Sequence, residues 1–319
     1  MSSKKILYCY PAESDENLYI TSCRRVWESA GYIVKFFPNS FSGLMNFKLF
    51  FGNTIVLNWF EDRMAHGGIQ ILSFIKSMIL LLVIRCTFKK VIWVRHNLTP
   101  HNYYSPFLYN LLLNVLGRFS DVTVTHRNVK GLNSCYIPHP LYPIDDEIKC
   151  DVKDVDYLYF GVVKSYKNID LLLEGWPADQ TLVMAGYCND IKYEEKLKKI
   201  IFTRKLKVTW RNEFLDYNDL CVLISKSKCV VLPHSDGKMI VSGAFYQAVS
   251  LGVNVLIRDG EFFKEYLRKF DFVHSFNIND IESSLSGLVL HSYDHIQQVV
   301  QSEFSDDVIA ERWNEVISK

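Results

Sequence analysis

The sequence predicts an α/β protein made of two Rossmann-like domains. Three observations carry that reading. Short apolar runs such as Ile6–Tyr10, Val91–Val94 and Cys229–Leu232 recur along the chain, at the length of buried parallel strands. Each is followed by a polar loop and then by a helical stretch, the grammar of a doubly wound sheet. The pattern restarts after the polar, unpatterned residues 145–154, and 319 residues are enough for two domains.

The elements follow in order. In the first half, strands fall at 5–10, 32–37, 54–59, 91–94 and 121–125, with helices at 18–30, 69–86 and 105–117. In the second half, strands fall at 155–160, 180–185, 205–210, 229–232 and 253–257, with helices at 168–175, 194–202, 217–227, 244–251, 261–269, 281–292 and 306–318. The domains are expected at 1–148 and 149–305, with helix 306–319 packing back toward the first. The stretch 229–257 is the most telling. Pro233 ends its strand, Ser242-Gly243 suits a helix start, and Gly252 suits a helix stop. A helix N-terminus at the carboxyl edge of a parallel sheet offers free N–H groups to a phosphate.

Composition narrows the function. Net charge is +1, which argues against a nucleic-acid partner. Residues 1–148 carry +5 and the remainder −4, so the front half suits an anionic membrane surface, or the split is ordinary fluctuation. The eight cysteines form no C-x-x-C pair, and they read as free thiols of a reducing cytoplasm. No signal peptide is visible, and Lys76 interrupts the lipophilic stretch 69–86. That stretch reads as a buried or membrane-surface helix and not as a span. No Walker A sequence, G-x-G-x-x-G or G-x-S-x-G occurs, so ATP, NAD and hydrolase readings lack support. Asp154-Val155-Asp156 starts a strand where a metal-binding D-x-D would end one, and His66 is isolated.

Several segments together resemble the GT-B glycosyltransferases, in particular the family four-like group of bacterial polysaccharide enzymes. They are Asn17-Leu18-Tyr19, Asn58-Trp59-Phe60-Glu61 and Trp93 through His101 in the first half. In the second they are Tyr159-Phe160-Gly161 with Lys164 and Lys167, Met184-Ala185-Gly186, Leu232 through Gly243, and Gln247 through Gly252. The resemblance implies two Rossmann-like domains facing across a cleft, with a nucleotide-sugar donor on the second and the acceptor on the first. It implies a polyprenyl-diphosphate-linked or oligosaccharide acceptor, a role in surface-polysaccharide synthesis, and a cytoplasmic enzyme peripheral to the inner face of the plasma membrane. The sequence departs from the group at its paired glutamates, because Met239 and Gln247 stand at those positions. Retaining and inverting outcomes therefore both stay open.

Glycosyl transfer needs the developing charge on the leaving diphosphate neutralised. Lys164, Lys167, Ser242 and Gly243 are the candidates, without a metal ion or other cofactor; the two lysines also read as solvated loop residues. Gly161 allows close backbone approach. Phe214 is a candidate base contact or a core aromatic, and Gln247 a ribose contact or a helix-packing residue. His96, at the carboxyl end of a strand, can donate to a sugar hydroxyl or accept its proton. Asp15 and Glu61 are the candidate bases for the acceptor hydroxyl, each otherwise an exposed loop carboxylate. His126 and His139 read as structural. Phe36, Phe37, Phe41, Phe47, Phe50, Phe51 and helix 69–86 are candidates to meet lipid, with Lys48, Lys76, Lys89 and Lys90 near headgroups; the aromatics equally read as filling the first domain's core. The rival activities are a sugar-nucleotide epimerase and a degenerate nucleotide-sugar-binding assembly partner.

Overall fold

The structure is a computed structural model. It describes residues 5–14, 17–38, 50–65, 69–98, 105–145, 148, 150, 152–235, 240–260 and 264–318. The chain forms two compact units: Met1–Pro140 with Met239–Val241 and Glu303–Lys319, and Leu141–Lys238 with Ser242–Ser302.

Unit 1 is built on six parallel strands: β1 (Ile6–Tyr10), β2 (Ile33–Phe36), β3 (Thr54–Asn58), β4 (Lys90–Val94), β5 (Val122–Thr125) and β6 (Cys135–Tyr136). Their order is β2-β1-β3-β4-β5-β6, so the winding direction reverses between β1 and β3. Side chains alternate between two cores, as strand geometry requires. Leu7, Cys9, Val56, Ile92 and Val94 pack on helix α1 (Tyr19–Ser29). Tyr8, Tyr10, Ile55, Leu57, Val91 and Trp93 pack under α2 (Gln70–Thr87) and α3 (Pro106–Phe119). Phe37 and Phe50 lie in this second core beside Tyr8 and Phe88. Of the two sequence readings these rings take the core one, filling the space under α2. Phe41, Phe47, Lys48 and His66 lie outside the described residues.

Unit 2 repeats the design with a different winding. Its strands are β7 (Val155–Phe160), β8 (Thr181–Ala185), β9 (Lys207–Arg211), β10 (Ser227–Leu232), β11 (Asn254–Arg258) and β12 (Val273–Phe276), all parallel in the order β12-β11-β10-β7-β8-β9. Its helices are α4 (Ile169–Gly175), α5 (Ile191–Thr203), α6 (Tyr217–Ser225), α7 (Gly243–Ser250), α8 (Lys264–Lys269), α9 (Ile281–Ser286) and α10 (Tyr293–Phe304). Asp190 and Asp216 cap α5 and α6 through backbone N–H groups at Tyr193 and Asp219. The winding reverses between β7 and β10, the place where open α/β sheets bind ligands beyond their carboxyl ends.

Three elements differ from expectation. The helix expected over 281–292 stops at Ser286, before Gly287, and α10 starts afresh at Tyr293 with the Ser292 hydroxyl accepting from His295 N. Strands β6 and β12 were not anticipated; Cys135-Tyr136 is only two residues long and Val273-His274-Ser275-Phe276 is short and half polar.

The last helix, α11 (Asp306–Ser318), packs on α1 within unit 1. Trp313 meets Trp27 edge-on, with centroids 5.3 Å apart, and Arg25 grips Asp306 through two hydrogen bonds of 2.6 and 2.9 Å. Losing an indole buried like Trp313 costs roughly 3–5 kcal/mol, so α11 is an integral part of this unit. Lys90 donates to the carbonyls of Val316 and Ile317 at the helix end. It is therefore spent on α11 and is not a headgroup contact.

Candidate functional site

In unit 1, β3, β4 and β5 deliver Asn58, His96 and His126 to one edge of the sheet. His96 is 2% exposed. The Asn58 amide nitrogen donates to Tyr10 O at 3.3 Å, which turns Asn58 Oδ1 toward His96 Nε2 at 3.2 Å. His96 therefore donates from Nε2 and keeps its lone pair on Nδ1. The Trp59 indole stacks on the imidazole with centroids 4.2 Å apart, and the Tyr19 ring meets it edge-on at 4.8 Å. Trp59 holds φ at +47°, a conformation that costs a large residue roughly 1–3 kcal/mol and concentrates at functional sites. His126 Nδ1 donates to Ile137 O, so its Nε2 accepts from the Tyr19 hydroxyl at 2.8 Å. Burial, followed by the neighbouring imidazoles of His126 and His139, holds His96 well below the usual histidine range. Burial lowers His126 to about 4. The nest is thus a set of neutral imidazoles, suited to hydrogen-bonding uncharged hydroxyls. His126 and His139 belong to it, a part the sequence did not give them.

Glu61 is placed differently from the sequence reading. It is not an exposed loop carboxylate but a buried one, 1% exposed. Its Oε2 accepts from Trp93 Nε1 at 3.0 Å, and Oε1 has no partner among the described residues. Burial, with the Asp62 charge behind it, pushes its pKa up to about 7. Trp93 belongs to the core under α2, whereas His96 packs on Tyr19 and Trp59 over α1. Glu61 and His96 thus sit in different packing environments, Glu61 against Trp93 and His96 against Trp59 and Tyr19. Asp15 lies outside the described residues.

In unit 2 the exit loops at the winding reversal come together. Gly161 follows β7 with φ +104°, and its N–H bonds Ala185 O at 2.9 Å. Gly186 follows β8, and a methyl group there would stand 2.0 Å from Gly161 O. The two glycines let the β7 and β8 exits touch backbone to backbone. Beyond Gly161, a 3₁₀ turn at Ser165–Lys167 carries Lys167 back so that Nζ sits 3.2 Å from where a Gly161 Cβ would be. Burial, then the charge of Lys164, lowers the Lys167 ammonium to about 8. From the adjoining strand β10, His234 feels the same ammonium; burial and Lys167 together lower it to about 4. Among the described residues no carboxylate pairs with Lys164 or Lys167. Two cations without a counter-ion, one of them poorly solvated, form a site that gains by taking up an anion.

The β10 exit also carries the start of α7. Ser242 Oγ accepts from Phe245 N at 3.4 Å as the N-cap, so its hydroxyl is used by the helix and the free N–H groups of the first turn remain for a ligand. Gly243 suits close approach, since a Cβ there would meet Tyr142 Oη at 3.1 Å. Phe214 lies after β9 and is 74% exposed, which removes it from the core. It pairs with Tyr187 after β8, with centroids 5.0 Å apart, an open aromatic surface two to three strands from β10. Gln247 points toward α6, where its amide lies 4.0 Å from Cys221 Sγ; it packs helices and does not face the exit loops. Asp156 of the D-x-D lies near the start of β7 and pairs with Lys228 and Thr181, away from those loops.

No protein-family model matches the chain, and no curated protein matches its sequence. Solved structures do match, over nearly the full length. HepE of Anabaena, in complex with UDP and glucose, superposes with a TM-score of 0.65 at 11% identity, covering 99% of each chain. The sucrose-phosphate synthase of Thermosynechococcus elongatus gives 0.68 at 13% identity, covering 98% of each. AviGT4, a glycosyltransferase of avilamycin A biosynthesis, gives 0.64 at 13% identity, covering 99% of this chain and 97% of that one. The chain has the GT-B fold. Two residues of this GT-B chain escaped sequence reasoning. His234 follows a Pro that ended the strand, and Tyr187 follows the Gly186 turn; each looked like loop filler until the sheet order made it a neighbour of a predicted residue.

Proposed function

We propose that this GT-B chain is a glycosyltransferase that moves a hexose from a nucleoside diphosphate sugar to a hydroxyl acceptor. The observation that carries the reading is the uncompensated pair Lys164 and Lys167 at the winding reversal of unit 2, with His234 and the α7 N-terminus on the adjoining strand. Such a site fits a diphosphate. Lys167 and the α7 N–H groups would stabilise the negative charge that grows on the leaving group as the glycosidic bond breaks, with no metal ion needed there. Tyr187 and Phe214 offer a stacking surface for the base. In unit 1 His96 Nδ1 would accept a hydrogen bond from a sugar hydroxyl. The test is incubation with UDP- and GDP-sugars, with and without acceptor extract. Acceptor-dependent release of nucleoside diphosphate supports transfer; isomerisation of the sugar nucleotide alone, or binding without turnover, contradicts it.

A lipid-linked acceptor of surface-polysaccharide synthesis, met at the cytoplasmic face of the membrane, belongs to the same proposal. Ser73, Ser77, Leu81, Ile84 and Thr87 of α2 face the protein, so the helix lies flat on the sheet despite being long and apolar enough to cross a bilayer. Its outer stripe of Leu72, Ile75, Ile79 and Leu82 stays exposed, and α3 extends it with Phe107 and Leu111. Exposed Lys76 and Lys89 flank the stripe. An apolar face rimmed by lysines fits an anionic bilayer. The double variant Leu72→Asp/Ile79→Asp is expected to lose roughly 100-fold in affinity for vesicles containing anionic lipid, from the apolar area withdrawn. Co-sedimentation reads this; wild-type protein that stays in the supernatant would remove the membrane from the proposal.

A further inference from the structure

We infer that unit 2 holds a divalent transition-metal site, formed by Asp271, His291 and His295, on the edge of its sheet opposite the anion-binding loops. Asp271 lies two residues before β12, and His291 and His295 sit before and within the first turn of α10. Every strand of this sheet is parallel, so groups that precede strands gather at the amino-terminal edge, away from Gly161 and His234.

The ligand atoms of the three side chains all lie within 4.8 Å of one another. His295 Nε2 is 3.0 and 2.8 Å from the two Asp271 oxygens, and His291 Nδ1 is 3.8 Å from Oδ2. Tetrahedral zinc with bonds of about 2.0–2.1 Å places its ligand atoms roughly 3.3 Å apart, within this spread. The two imidazoles stack, with centroids 4.6 Å apart and 24° between planes.

The backbone that presents them is fixed. Asn254, the first residue of β11, donates to His291 O at 3.0 Å and accepts from His291 N at 2.9 Å. The Ser292 hydroxyl accepts from His295 N at 3.3 Å. These bonds fix the main chain from which the two imidazoles project. A third imidazole, His274 on β12, is also close enough to interact with Asp271 and His291, and its Nε2 is enclosed with no partner among the described residues.

Two imidazole nitrogens and one carboxylate select zinc, cobalt, nickel or copper, and not calcium or magnesium, which want mostly oxygen. In such a site both histidines ligate as neutral rings, each through a nitrogen lone pair. The ion would tie the root of α10 to β12. It would take no part in transfer, since it sits at the far edge from the diphosphate site. The inference does not depend on the proposed activity, and its readout is binding alone.

The experiment is calorimetric titration of the untagged 319-residue chain with Zn2+, together with absorption spectroscopy on Co2+. The expected results are one saturable ion per chain and Co2+ ligand-field bands without a thiolate charge-transfer band. His295→Ala and Asp271→Ala should each weaken binding by roughly 100-fold or more, since even the loss of an outer supporting contact costs 10–100-fold. Both variants are checked for native circular dichroism; if one does not fold, His291→Gln takes its place in the same titration. Absence of saturable binding, unchanged affinity in the variants, or a dominant thiolate band would overturn the site.

Discussion

Lys167→Met is expected to weaken UDP binding about 100-fold and to flatten its dependence on pH. The magnitude follows from losing one charge-assisted contact to a phosphate in a poorly solvated place, on the order of 3 kcal/mol. The pH dependence follows from the lysine's own equilibrium. Burial, then Lys164, has lowered its pKa to about 8, and only the ammonium form attracts a diphosphate. Affinity is therefore full below pH 8 and falls as pH rises through 8, while the bound anion, favouring the ammonium, draws a proton from solution in that range. Calorimetry in two buffers of different ionisation heat measures this uptake directly. In Lys167→Met the slope above pH 8 disappears, although Lys164 still contributes to binding. A variant that keeps wild-type affinity and slope would place the anion elsewhere.

Gly186→Ala is expected to be the most damaging single methyl group in unit 2. Its Cβ would stand 2.0 Å from Gly161 O and 2.8 Å from Gly161 C. These are backbone atoms on the neighbouring exit loop, so no side-chain rotation relieves the clash. The two loops must separate, which breaks the Gly161 N to Ala185 O hydrogen bond of 2.9 Å and shifts the turn that carries Lys167. A cost of about 3 kcal/mol or more is in line with overpacking against rigid backbone. Thermal melting should show the loss, and UDP affinity measured at low temperature should fall with it. Gly117→Ala is the control. It lies within α3 with nothing within 4 Å of its Cβ, so it should be neutral or gain up to about 1 kcal/mol from helix propensity. Equal melting temperatures for wild type and Gly186→Ala would show that the loops are looser than the geometry requires.

Much of the architecture could be read locally. The strands announced themselves because a buried parallel strand is a short apolar run, and Gly161, Ser242 and Gly252 sit where turns, caps and stops are chemically required. Strand order could not be read in the same way. The adjacency of β7 and β10, set by pairing across some seventy residues of chain (Leu158↔Val230), brings His234 beside Lys167, and no local pattern encodes it. Glu61 misled for a related reason. A carboxylate after a strand is usually solvated, and only the Trp93 side chain from the next strand, donating to it inside the second core, makes burial tolerable. Gln247 sits on a helix face whose direction depends on where α6 packs, so its two readings could not be separated from sequence. The Asp271, His291 and His295 cluster joins residues 24 apart in sequence across a strand and a helix, and their spacing carries no metal-ligand signature.

The proposed transfer needs a diphosphate leaving group held at Lys164, Lys167 and the start of α7. Its most direct test is nucleoside diphosphate release from UDP- and GDP-sugars by wild-type protein and Lys167→Met, with and without acceptor extract. The expected result is release that requires acceptor and falls about 100-fold in the variant at subsaturating donor, from the lost phosphate contact. Release that ignores both the acceptor and the lysine, or sugar isomerisation in its place, would contradict it.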